Sequence, residues 1–528
     1  MPRLLGTLAV CSLGMAAPGA HAAELHPTTT ADVAGAGGMS LRDAVAAAAR
    51  PGYDAITLPA GQRFVLSDCE AGPLTVPRGD TLVIYGSGAS VVQACPGQPV
   101  FSVSGVAYLR RVALSSQGGA PAPLVRTDGL LWMRDATLSG SPGAGVECQE
   151  CVELVAINSH IVANAGGGVV ARSRTRRTLV VLRGTEVAGN RSALPGAGLG
   201  AELADPASAV WIEDSTVTTN VTTGDAADGG GVDVAAPSLD VTGSRVSGNV
   251  AGSEERPGSG GGISFRASGA GRASASVASS VVSGNAASFA GGGVSVSGDA
   301  QLALIESTVS SNTAAAQGGG VAIQSSRAGT LLVDGSTITG NVAGQGSGGG
   351  GISLLGTSST SAVVRSTLIG NRAGRGGGID AGDDSGLALQ RSTLVRNASP
   401  RGANVAVSGR ASVTTLADIV AQPAEGDSCL VAPGATLSSG GYSVFGDASC
   451  VPSATDRVVA GDVGVGDLPG PDAAPGRLPA IAAVAPASAA VGVVPGALCV
   501  GMRDQAGRSR EGERCTAGAV EPVAAPAP

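Results

Sequence analysis

Apolar residues recur two apart along most of this chain. Val232/Val234, Ile263/Phe265, Val294/Val296, Val321/Ile323 and Ile352/Leu354 each flank one small or polar residue, the pattern of a strand with one buried face. A second alternating segment follows, as at Leu239/Val241, Leu302/Leu304 and Leu331/Val333. A third, of Ser-Thr-Val type, is centred on Val309, Ile338, Leu368 and Leu394. No helical periodicity separates them. The pattern predicts three short strands per unit.

The unit repeats. Each third strand leads to an asparagine, giving Asn164, Asn190, Asn220, Asn249, Asn285, Asn312, Asn341, Asn371 and Asn397, spaced 26 to 36 residues apart. A short loop and a Gly-Gly-Gly cluster then precede the next first strand. This period is that of a solenoid, and three strands per period predict an all-β, single-stranded right-handed parallel β-helix. The rival, a leucine-rich repeat, requires another leucine spacing. Asn and Gly tolerate positive φ and are expected as turn formers. Coils stacked about 4.8 Å apart would also let each Asn amide bond those above and below. Loop insertions fall between Asn and Gly cluster, as in residues 249–262, and predict one variable edge.

The two ends differ from the middle. Residues 1–22 have the charge, apolar centre and Ala-His-Ala site of an export signal. Residues 23–55 are expected to form an N-terminal cap. Its helix, 40–50, opens on Ser40 with Asp43 in capping-box position and stops at Pro51-Gly52; its apolar face is predicted to cover the open end of the core. Repeats occupy 56–410, a C-terminal region 411–521, and a flexible tail 522–528.

Composition narrows the partners. A net charge of −8, with every basic residue an arginine, offers no footprint for nucleic acid. The basic run from Arg172 to Arg177 reads as a solvated loop edge. No later apolar run is suited to span a membrane. A periplasmic, outer-surface or extracellular monomer is expected. Eight cysteines beyond Cys11 agree with export. Cys69 and Cys95 stand one repeat apart and are expected to pair, as are Cys429 with Cys450 and Cys499 with Cys515. For Cys148 and Cys151 a local disulfide is favoured over two thiols; a zinc site lacks further ligands nearby.

Residues 40–61, SLRDAVAAAARPGYDAITLPAG, resemble the CSLREA motif of exported bacterial β-helix proteins, with Met39 in place of its Cys. The repeats are similar to those of polymorphic outer-membrane proteins, without their Phe before Asn. The segment from Cys429 to Glu521 resembles the choice-of-anchor Q domain. It carries the Asp504-Gln505-Ala506-Gly507-Arg508-Ser509-Arg510 stretch and a closing Cys515-Thr-Ala-Gly-Ala-Val-Glu521. The resemblance implies an exported parallel β-helix and names no activity.

The expected function is non-catalytic: adhesion, envelope structure or display toward an extracellular glycan or cell-surface component. The alternative is a polysaccharide lyase or hydrolase acting on acidic glycans. Its acids would be Asp383 and Asp384 with Arg372 and Arg375, and calcium would be the one conceivable ion; otherwise no cofactor or metal is expected. Aromatic residues, the usual sugar platforms, are only 2% of the chain. A flat hydroxyl face is a further reading, because Thr216/Thr218, Thr308/Ser310 and Thr337/Thr339 are expected to point outward beside a buried Val or Ile. Ile369 and Val395 interrupt that row.

Overall fold

Asparagine supplies the internal spine. In the computed structural model, which describes residues 24–32, 37–48, 53–225, 227–268, 273–325, 329–356, 360–469 and 479–522, the nine repeat asparagines are buried in one column. Asn285 Nδ2 donates to Asn312 Oδ1 at 2.9 Å and to the Val246 carbonyl, while Asn285 N–H donates to the same Oδ1. The amide is thus satisfied within the protein, which is the condition for burying it. The bond recurs from Asn164 to Asn397 and passes on to Asn404.

The turn chemistry differs from expectation. The left-handed residue is the one before each Asn: Ala163, Gly189, Thr219, Gly248, Gly284, Ser311, Gly340, Gly370 and Arg396 have positive φ. The Asn stays in ordinary backbone and serves as a hydrogen-bonding group. A parallel column at another corner was not anticipated. Ser215, Ser244, Ser280, Ser307, Ser336 and Ser366 each donate a backbone N–H to the hydroxyl of the next coil's serine. Asp418 takes the serine place lower down, accepting from Ser392 N–H at 2.7 Å.

The glycine cluster is steric as well as conformational. At Gly291–Gly293 only Gly291 has positive φ. A Cβ on Gly292 would strike the Thr313 carbonyl, and one on Gly293 would meet Gly320 O at 2.6 Å. Coils stacked at strand distance leave no volume for side chains there.

These devices produce the predicted right-handed parallel solenoid of about 15 turns. Among the described residues a first face of fourteen strands runs from Leu74–Val76 to Cys429–Val431. A second, of sixteen, runs from Glu24–Leu25 to Thr436–Ser439, and a third, of sixteen, from Arg63–Leu66 to Arg457–Val458. A fourth ladder of two-residue strands, Arg191–Ser192 to Val342–Ala343, lies just past the Asn column. Its strands are too short for alternation to reveal. Inward Val, Leu and Ile from all three main faces form one continuous core.

The N-terminal end is closed. Ser40 Oγ accepts from Asp43 N–H, and Asp43 accepts from Ser40 N–H, so the capping box forms on helix Leu41–Ala48. Leu41, Ala44, Val45 and Ala48 are buried against the first coils. The solenoid runs past the expected limit at residue 410, to the last strand of the third face, Arg457–Val458. Beyond it, residues 463–469 and 479–520 fold back on the third face and form a second core with Ile369, Val395 and Ile419. The four expected disulfides are present, including Cys69–Cys95 between adjacent coils, with Cα atoms 5.3 Å apart. The signal segment, residues 49–52 and most of the expected tail lie outside the described residues.

Candidate ligand-binding face

The acidic cluster does not assemble as a site. Asp383 occupies a left-handed turn, and Asp384 is paired with Arg410 at 2.6 and 2.7 Å, which holds its carboxyl below the usual range. Arg375 turns instead to Asp380, at 2.9 and 2.8 Å, and Arg372 reaches Glu425. Asp380 is an outward residue of the first face, its carboxylate buried against Gly348 of the neighbouring coil, and burial pushes its carboxyl up. Asp233 repeats the arrangement with Arg266. Alternation alone hid this, since both acids occupy outward strand positions. Among the described residues no group of three His, Cys, Asp or Glu side chains is placed to hold a metal ion.

The hydroxyl row is not an open face. Thr216 and Thr218 are half-buried, but Thr308, Ser310 and Thr337 are buried. Thr337 Oγ1 donates to the Ala480 carbonyl and accepts from Gln505 Nε2 at 2.8 Å; Thr367 Oγ1 donates to Gln505 Oε1 at 2.6 Å. Ile369 and Val395, apparent interruptions, are apolar because the C-terminal segment packs on them. The Asp504–Glu521 stretch is the clasp that holds it. Asp504 accepts from Arg508, and fully buried Arg510 donates to Glu521 and to the Thr516 and Gly518 carbonyls.

The Cys148–Cys151 turn also has a local task. It carries Glu150, whose carboxylate accepts from Arg174 N–H at 2.8 Å and from Ser173 and Thr175. These bonds, led by Arg174 N–H, pull its pKa down to about 2. The basic run is therefore a loop edge anchored on the preceding coil, with Arg174, Arg176 and Arg177 exposed.

What sequence reasoning missed is where the rare aromatics go. Phe64, Phe101, Phe265 and Phe445 are in the core. Both tryptophans and two tyrosines, Tyr85, Tyr108, Trp132 and Trp211, lie on the outward side of the second face. Strand register sets Val83, Tyr108, Trp132, Val155, Val181 and Trp211 in one column, one per coil. The Tyr108 and Trp132 rings meet edge-on, centroids 5.7 Å apart, a favoured aromatic geometry. Trp132 Nε1 donates to Glu153 at 3.2 Å, which fixes the indole.

Val155 and Val181 are nearly buried between the two half-exposed indoles, with Val106, Leu130 and Leu179 alongside. Charge lines the other margin: Arg110 and Arg134 are exposed, and Arg183 is paired to Glu213 at 2.6 Å. The column ends at Asp240, which follows Trp211 in register; from there Ser276 and Ala303 replace the large residues. The signal was available in the sequence. Tyr108, Trp132 and Trp211 each occupy the middle of a five-residue strand whose neighbours face inward.

Comparison with protein-family models, curated proteins and solved structures returned no match.

Proposed function

We propose that this protein is an exported, non-catalytic solenoid that binds an extracellular glycan chain along its aromatic column, serving adhesion or envelope structure. The observation that carries this is the registered column from Val83 to Trp211.

Its dimensions favour an extended polymer. Six strands at about 4.8 Å and three outward rows at about 3.3 Å per residue make a surface of roughly 24 by 13 Å. That is about 300 Å², below the roughly 800 Å² per partner of a standard protein interface. Among extended polymers, a sugar chain has apolar ring faces and polar edges. Half-exposed indole and phenol rings suit the former, and the Arg110, Arg134, Arg183 and Glu213 margin suits the latter. Four disulfides support an oxidising compartment. The pairing of Asp384 with Arg410, Asp380 with Arg375 and Arg372 with Glu425 supports a non-catalytic role, since the charges of the cluster are drawn to separate partners rather than gathered at one site.

Retention on insoluble cellulose, chitin and xylan tests the proposal. The wild type is expected to be retained on at least one. The Trp132→Ala/Trp211→Ala variant, altered only on the outward side, is expected to pass through with an unchanged circular dichroism spectrum. Failure of the wild type on all three, or equal retention of the variant, removes the reading.

A further inference from the structure

Four coils beyond Glu213 on the same strand edge lies Asp334, and there the solenoid and its folded-back C-terminal segment enclose a cleft of about 780 Å³. It is lined by Glu306, Asp334, Val364, Arg365, Arg391, Met502, Arg503 and Gly507.

Three of these are arginines, and they are not equivalent. Arg365 is fully engaged. Its guanidinium lies over Gly335, where a Cβ would sit 2.9 Å from Nη1, and bridges Asp334 at 2.6 Å and Glu306 at 3.6 Å; Nη1 also donates to the Asp504 carbonyl. The two acids of the cleft are thereby neutralised in part by one arginine. Arg508 is used by Asp504, and Arg510 by Glu521.

Arg391 is different. It sits at a left-handed corner of the coil below Arg365, half-buried, and its guanidinium has no hydrogen-bond or ion-pair partner among the described residues. Burial pushes its pKa down while the more distant Asp418 and Asp334 oppose that. Buried Arg510 behind it repels. Arg503, on the opposite wall, is exposed; it donates once to the Gly507 carbonyl and forms no ion pair among the described residues. Two guanidiniums therefore line one cleft without an ion pair of their own, among three arginines and two acids that Arg365 already bridges. A partly desolvated charge without a partner is unfavourable unless something supplies one.

We propose that this seam cleft is an anion site in which Arg391 and Arg503 take a carboxylate or sulfate group of an oligosaccharide, with Val364 and Met502 against its apolar part. Guanidinium forks match the oxygens of both groups. The two chemistries share donors, so the ligand arms of the test separate them.

Isothermal titration would use the full chain carrying Trp132→Ala and Trp211→Ala, so that the aromatic column contributes nothing. Probes would be an oligouronate, a sulfated oligosaccharide and a neutral oligosaccharide at low salt. Saturable binding of one charged probe and none of the neutral one is expected, weakened about tenfold by Arg391→Gln and again by Arg503→Gln, the loss of one charged hydrogen bond each. If Arg391→Gln does not fold, Arg503→Gln carries the comparison, because its side chain is exposed. Absence of binding by both charged probes, or undiminished binding in the arginine variants, overturns the site.

Discussion

Gly293 lies against the side-chain amide of Asn312: a Cβ there would stand 3.0 Å from Asn312 Nδ2. The spine and the glycine cluster are therefore one device, in which the bare backbone of one coil covers the buried amide of the next. Gly293→Ala forces a methyl group against backbone and a buried hydrogen bond, and is expected to destabilise by about 3 kcal/mol. Gly284→Ala is the contrast. Gly284 has positive φ but open space around its Cβ position, so about 1 kcal/mol is expected. Guanidinium unfolding midpoints give the order; a larger loss for Gly284→Ala would mean that conformational freedom, rather than space, governs the repeat.

The clasp makes a separable prediction. Gln505 joins the C-terminal segment to Thr337, Thr367 and the Ser336 carbonyl. Gln505→Ala removes these bonds at a cost of about 2 to 3 kcal/mol, while the solenoid's own ladders are untouched. Trypsin reads the outcome, since Arg510 is fully buried in the native state. Faster cleavage at Arg510, with the solenoid coils left uncut, is expected. Simultaneous digestion of both parts would show that the segment is integral to the solenoid.

Asp418 gives the protein a pH dependence. It stands where the ladder has serine, and burial raises its pKa to about 7, from 3.8, against the Ser392 and Leu416 N–H bonds that it accepts. Between those values the folded state keeps a proton that the unfolded chain has lost. Stability therefore falls as pH rises from about 4 to 7 and levels off above, with a contribution from this group of up to about 4 kcal/mol. Buried Asp233 and Asp380, also raised, act in the same direction. Asp418→Ser restores the ladder hydroxyl. Its unfolding midpoint should decline less between pH 5 and 8 than that of the wild type; parallel curves would place the titration elsewhere.

Legibility followed periodicity. Asn285 and Asn312, or Cys69 and Cys95, are one repeat apart, and one repeat is one coil, so sequence spacing converts directly into contact. The same rule reads Val309 and Ile338 as core. It fails wherever a contact crosses periods. Gln505 meets Thr337 across 168 residues, and nothing local to Thr308 or Thr337 distinguishes a covered hydroxyl from a solvated one. Nearness in sequence groups Arg375 with Asp383 and Asp384. The strand instead turns Asp380 outward, against Gly348 and within reach of Arg375. The aromatic column was obscured differently: a content of 2% suggests scarcity, whereas register concentrates Tyr108, Trp132 and Trp211 on one surface.

That column predicts a dependence on ligand length. Tyr108 and Trp132 are on adjacent coils, whereas Trp211 lies three coils beyond Trp132, about 14 Å away. A short oligosaccharide seated on the Tyr108–Trp132 pair leaves Trp211 untouched; a longer one reaches both indoles. Affinity should therefore rise with chain length and level off once the ligand spans about 24 Å, the whole column. Trp211→Ala should weaken only the longer ligands, by about tenfold, the worth of one aromatic contact. Trp132→Ala should weaken all of them. Because both tryptophans of the chain lie on this face, intrinsic fluorescence follows the titration directly. In Trp211→Ala the remaining signal reports the Trp132 end alone. If short and long ligands bind equally, or Trp211→Ala weakens the shortest, the column does not act as one extended site.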